Sequence, residues 1–165
     1  MDRQTLTHPF APVVDQRCRV LVLGSFPSVK SREITFYYGH PQNRFWRVLA
    51  AVYGEAVPQK TQEKRAFVLR HGIALWDVIS RCEIAGSADS SIRGAIPNDL
   101  PALLADYPQI KSIVLNGKTA EKVYWKYWKA LPLPVYTLPS TSPANAAWTL
   151  DRLIEAWGAV LQAKG

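Results

Sequence analysis

Two short aliphatic runs constrain this chain more than any other feature. Arg19-Val-Leu-Val-Leu-Gly24 ends on a glycine, and Ile110-Lys-Ser-Ile-Val-Leu115 runs into Asn116-Gly117. Each is too short for a helix and closes on a turn signal, so each reads as a buried strand that leads into a loop. Helical patterns separate the two runs. Asn43–Tyr53 places Phe45, Trp46, Leu49, Ala50 and Tyr53 at helical spacing and stops at Gly54. Gln59–Arg70 reads as a second helix stopped by Gly72, and Ile73–Trp76 as a short strand. Strands alternating with helices predict an α/β fold with a mainly parallel sheet.

The rest of the chain continues the pattern. Cys82–Gly94, rich in small and polar residues, reads as a loop. Asn98 or Asp99 caps a helix that runs to Asp106, with Pro101 in its first turn. Lys118–Ala130 reads as a ring-rich helix, Val135–Leu138 as a strand, and Asn145–Ala163 as the C-terminal helix. No repeat or linker divides the 165 residues, so one domain spanning 1–165 is expected. In such a sheet, ligands bind beyond the carboxyl ends of the strands. Three segments fall there: Gly24-Ser-Phe-Pro-Ser28, Asn116-Gly117 and Pro139-Ser-Thr-Ser-Pro-Ala-Asn145.

Composition narrows the chemistry. With 48% hydrophobic and 20% charged residues the chain is globular, and no run approaches the roughly 18 apolar residues of a membrane span. The first residues, MDRQTLTHPFAPVVDQ, do not resemble a signal peptide, and a cytoplasmic protein is expected. Two cysteines and three histidines without ligand spacing support neither a zinc site nor an iron–sulfur cluster, so no metal and no cofactor are expected. The net charge of +7 favours a polyanionic partner. Nothing signals oligomerisation, and a monomer is expected.

Most candidate site residues carry two readings. Gly24-Ser25-Phe26 matches neither the P-loop nor the dinucleotide pattern and reads as a strand-to-loop turn. Tyr38 packs in a core or stacks a planar base. Asn43 caps the helix after it or holds a water beside a ligand. Asn116 is a turn residue or an amide on a base edge. Ser140-Thr141-Ser142-Pro143 leads into a helix with Ser142 as its cap, or contacts phosphates. Lys118, Lys122, Lys126 and Lys129 form a solvated face or a basic stripe. Asp77, Glu83 and Asp89 have no spacing that specifies a carboxylate pair, and His40 reads as structural.

Five segments in order, GSFPS (24–28), FYYGHPQNRFW (36–46), GIALWDV (72–78), VLNGK (114–118) and LPSTSPAN (138–145), resemble the uracil-DNA glycosylase superfamily. Within it they resemble the hypoxanthine-DNA glycosylase branch, also called DNA-deoxyinosine glycosylase. The resemblance implies a three-layer α/β/α sandwich around a four-stranded, mainly parallel sheet. It also implies a monofunctional enzyme that flips a damaged base out of duplex DNA and hydrolyses its N-glycosidic bond. In the mismatch-specific relatives a catalytic Asn stands where this chain has Phe26. In the classical uracil enzymes a catalytic His stands at the position of Leu138. Both departures weigh against uracil, and in the hypoxanthine branch the principal catalytic residue maps to Asn43.

The same resemblance implies the remaining roles. Gly24, Ser25, Phe26, Tyr38 and Asn116 surround the base; Ser140, Thr141, Ser142, Pro143, Asn145 and Lys118 meet the DNA. Three alternatives stand beside this reading: a mismatch-specific uracil or thymine glycosylase, a catalytically silent DNA-lesion binder, and a basic α/β protein that binds RNA or a free nucleobase.

Overall fold

The computed structural model describes residues 4–8, 10–26, 36–84, 92–128 and 130–164. Pro27 and Ser28 of the first motif, Asp89 and Lys129 lie outside the described residues. Seven strands are described: β1 (Gln4–Thr7), β2 (Val20–Gly24), β3 (Ile73–Asp77), β4 (Ile79–Ile84), β5 (Arg93–Pro97), β6 (Ser112–Asn116) and β7 (Val135–Leu138). The five described helices are α1 (Phe45–Tyr53), α2 (Thr61–Arg70), α3 (Leu100–Asp106), α4 (Lys118–Tyr127) and α5 (Leu150–Lys164).

The central sheet has the order β3-β2-β6-β7, and all its pairings are parallel. Alternation along β2 shows how the layers form. Val20 and Val22 face a core shared with α1, α2 and α5, through Phe45, Leu49, Phe67, Val68, Leu153 and Trp157. Leu21 and Leu23 face the other way, onto Leu100 and Leu103 of α3 and Ala120 and Tyr124 of α4. A strand buried on both faces has no polar side to present, which is why β2 reads as a continuous aliphatic run. Each such Leu or Val contributes about 1.5–3 kcal/mol by leaving water. The result is the expected three-layer α/β/α sandwich. Among the described residues no helix is long and apolar enough to cross a membrane.

Helix boundaries follow local chemistry. Asn43, one residue before the N-cap position at Arg44, accepts from Phe45 N–H at 3.0 Å and so covers an otherwise unpaired N–H at the start of α1, and Gly54 closes the helix with φ 65°. Asp99 accepts from Ala102 N–H at 3.1 Å at the start of α3. Asn98 instead donates its side-chain amide to the carbonyls of Asp77 and Ile79, stitching the bend where β3 becomes β4.

Three readings of the sequence are corrected. Cys82–Gly94 is not all loop: its described ends belong to β4 and β5, which pair antiparallel in a second sheet ordered β1-β4-β5. Register shifts in the β4–β5 pairing break the alternation that marks a strand. The ring-rich helix stops at Tyr127, short of Ala130. The C-terminal helix begins at Leu150, five residues beyond Asn145, where Thr149 accepts from Arg152 N–H at 3.2 Å. Ser142 is therefore not its cap, and 139–149 is a loop.

Candidate active site

The strand order places β2 beside both β3 and β6, so the chain leaves β2 in one direction and later returns on its other side. Such a switch point opens a crevice at the carboxyl ends of the strands. A cavity of about 670 Å³ lies there. Gly24, Ser25 and Phe26 at the end of β2 line it, as do Tyr38 and Asn43 from the segment before α1. Asn116 and Lys118 after β6 join them, with Ser140, Thr141, Ser142, Pro143 and Asn145 from the long loop. The structure thus gathers all the site residues picked from the sequence around one space.

The first wall is built from strand ends and rings. Tyr38 holds φ 53°, a left-handed value a bulky residue rarely adopts. Its ring stacks on Phe45, with centroids 4.0 Å apart and an angle of 22°, so one face is already covered. Tyr37 beside it donates its hydroxyl to the Ala11 carbonyl at 3.0 Å. Burial, with the negative charge of Asp77 adding to it, pushes the Tyr37 phenol far above its usual range, so it stays neutral. Asn43 lines the cavity with its carbonyl oxygen committed to the Phe45 N–H at the start of α1. Phe26 is buried at the apolar edge, with Ile79 and Cys82 as neighbours.

The second wall is the loop 139–149, and its polar groups mostly face one another. The Asn116 side chain donates to Thr141 Oγ1 and accepts from Thr141 N–H, both at 3.1 Å. Ser140 Oγ accepts from Ser142 N–H and Ser142 Oγ from Ala144 N–H, while Asn145 donates to the Ser140 carbonyl at 2.9 Å. These bonds fold the loop on itself. Gly117, with φ 97°, lets the loop lie close: a Cβ there would sit 3.0 Å from Ser140 Cβ. Lys118 is exposed at the rim.

Arg44 and His8 escape a reading of the sequence, and Asp77, weighed there only as one of an unspecified carboxylate pair, gains a place in the site. Arg44 is the hub of the second wall. Its guanidinium donates to the carbonyls of Ser142 at 3.1 Å and Asn145 at 3.0 Å, and to that of Trp148, while its backbone N–H donates to Thr141 O at 3.0 Å. Nothing in sequence spacing links position 44 to a loop a hundred residues away. Asp77, at the end of β3, also lines the cavity, and His8 Nε2 lies 2.7 Å from its Oδ2. The signal for this pair is hidden because β1, which delivers His8, is a four-residue strand with one apolar side chain.

Comparison with known proteins fits this geometry. A model of the uracil DNA glycosylase superfamily matches residues 11–161. The chain is 35% identical to a hypoxanthine DNA glycosylase of Methanosarcina acetivorans over 154 residues, covering 93% of this chain and 96% of that one. It is 34% identical to a hypoxanthine DNA glycosylase of Methanosarcina barkeri, covering 82% and 86% of the two chains. Among solved structures, a solution NMR structure of a candidate uracil DNA glycosylase from Methanosarcina acetivorans superposes with a TM-score of 0.84 at 31% identity, over 97% of this chain and 98% of that one. By sequence and by the architecture that frames its cavity, the chain belongs to the uracil DNA glycosylase superfamily.

Proposed function

We infer that this protein is a monofunctional DNA glycosylase that removes a deaminated base, hypoxanthine foremost, from duplex DNA. The observation that carries the reading is the placement of Asn43 and Tyr38 on one cavity with the prefolded loop 139–149. The relatives named as hypoxanthine DNA glycosylases support the same activity.

In this reading the loop enters the minor groove and the damaged nucleotide swings into the cavity, at a cost of a few kcal/mol that is least for a poorly paired base. Tyr38 and the ring of Phe26 flank the base. Lys118 meets the phosphate backbone. Asn116 acts mainly by holding Thr141, and through it the loop. As the C1′–N9 bond breaks, its electrons pass to the base, and fixed N–H dipoles beside Ser25 stabilise the gathering charge. A water adds to C1′ of the cationic sugar and its proton passes to the departed base anion, leaving an abasic site and the neutral base. Asn43 is too weak a base to take its proton. With its carbonyl pinned by Phe45 N–H, its amide orients the water. Apolar Phe26 and Leu138, buried where other branches carry polar groups, leave Asn43 as the water-holding residue. We assign this activity to one domain, a cytoplasmic monomer, acting on damaged duplex DNA.

The test is alkaline cleavage of duplexes carrying one hypoxanthine, uracil or xanthine, with Asn43→Ala and Asn43→Ser in parallel. Serine keeps an oxygen for the Phe45 N–H, so it separates chemistry from the loss of about 1 kcal/mol that removing this bond brings. We expect excision of hypoxanthine, reduced at least about 100-fold in both variants. Excision of uracil alone would move the protein to the mismatch-specific branch. Lesion binding without any excision would make it a silent binder.

A further inference from the structure

Deamination changes the pairing edge of a base in a way that a hydrogen-bond acceptor can sense. Adenine N1 is a bare acceptor, and in hypoxanthine it becomes an N–H donor. Cytosine N3 makes the same change in becoming uracil. A carboxylate is an acceptor only, so aligned with that ring nitrogen it attracts the deaminated N–H and repels the parent lone pair, whereas aligned with the neighbouring exocyclic position it would favour the parent's amino group.

Resting on the glycosylase reading, we propose that Asp77, positioned by His8, is the group that distinguishes a deaminated base from its parent. Asp77 lines the cavity from the end of β3. Its Oδ2 is held by His8 Nε2 at 2.7 Å, and the two side chains are only 5% and 3% exposed. Its Oδ1 lies on the side of Gly24 and Tyr38. A Cβ on residue 24 would sit 2.5 Å from that oxygen and 3.0 Å from the Tyr38 hydroxyl. Glycine at position 24 therefore leaves the space that the carboxylate occupies. A buried carboxylate is costly without partners, and one that lines a ligand cavity with a single oxygen held by His8 is suited to bind a donor there.

His8 is a positioning residue. The rings of Phe10, Phe26 and Tyr37 surround its imidazole at centroid distances of 5.6–5.9 Å. Phe10 N–H lies 3.2 Å from Nδ1 and the Phe10 carbonyl 2.9 Å from the same atom. A bare Nδ1 accepts from the N–H, and a protonated Nδ1 donates to the carbonyl. In both the neutral form with hydrogen on Nε2 and the imidazolium, Nε2–H donates to Asp77. That bond draws the carboxylate's charge away from the base as the base becomes negative. A fold-staple role for the pair is the competing explanation, and it predicts no dependence on the base edge.

The experiment measures single-turnover excision and equilibrium binding by the full chain on duplexes carrying hypoxanthine or unsubstituted purine, whose N1 is a bare acceptor. The variants are Asp77→Asn, which can present a donor, and His8→Gln. We expect Asp77→Asn to lower the hypoxanthine rate on the order of 100-fold while the purine rate holds or rises, collapsing the preference. His8→Gln lowers the same preference by about 10-fold. Equal losses on both bases, or an unchanged preference in both variants, would overturn the proposal. If the wild-type protein excises nothing, the glycosylase reading fails, and the binding preference then decides this one. A preference for hypoxanthine over purine that vanishes in Asp77→Asn sustains Asp77 as the reader, and one that persists removes it.

Discussion

The two walls of the cavity are held by different means. The wall at Gly24 and Asp77 ends strands whose neighbours are bonded along their length and whose side chains lie in two apolar cores. The wall at 139–149 has no regular structure. A guanidinium, two amides and a few hydroxyls hold it, and Trp157 adds a bond from its ring N–H to the Pro139 carbonyl at 3.0 Å. The strand wall can be lost only with the core. The loop wall hangs on single side chains, so its conformation can be disturbed while the fold persists.

Replacing Arg44 with methionine should break this contrast most sharply. The carbonyls of Ser142, Asn145 and Trp148 lose a charged donor together, and urea unfolding should show a loss of about 3 kcal/mol. Affinity for duplex DNA should fall further than stability alone explains, as read by titration at fixed salt. A variant that binds as tightly as the parent would mean that Arg44 does not hold the wall.

A smaller effect sharpens the same contrast. Asn116→Ala leaves Thr141 without its side-chain partner in a fully buried position and should cost about 2 kcal/mol. A double-mutant cycle with Thr141→Ala should return a coupling of about 1 kcal/mol, because the two residues serve each other. Additive losses would show that Asn116 acts on something else, such as the base.

The smallest effect should come from Lys118→Ala. This exposed rim lysine should leave stability unchanged and reduce the slope of log affinity against log salt by about 1. An unchanged slope would place the phosphate path elsewhere.

How far the molecule was legible in its sequence depended on how local its physics is. β2 and β6 are buried on both faces, so their composition alone reveals them. Asn43 was read both as a cap and as a ligand amide, and its bond to Phe45 N–H spans two residues. β4 was hidden because its shifted register places Ile79 and Cys82 inward without strict alternation. The start of α5 was set too early because the apolar spacing runs back through Trp148, a residue that instead lines the cavity and stacks under Arg152 at 4.2 Å. Arg44 and its carbonyls, and His8 and Asp77, meet only through tertiary structure, so no periodicity announces them.

The seam at Val78 carries a last consequence. β3 and β4 are successive stretches of one chain, yet they serve different sheets, and His8 N–H donates to the Ser80 carbonyl at 2.6 Å just past that seam. The stretch by which the family is recognised begins at residue 11, after β1 and His8. A relative can therefore keep every strand of the central sheet and still differ in the short lead-in that grips the cavity's carboxylate. On the proposal that Asp77 reads the base, a change at His8 would alter base preference without touching the central sheet.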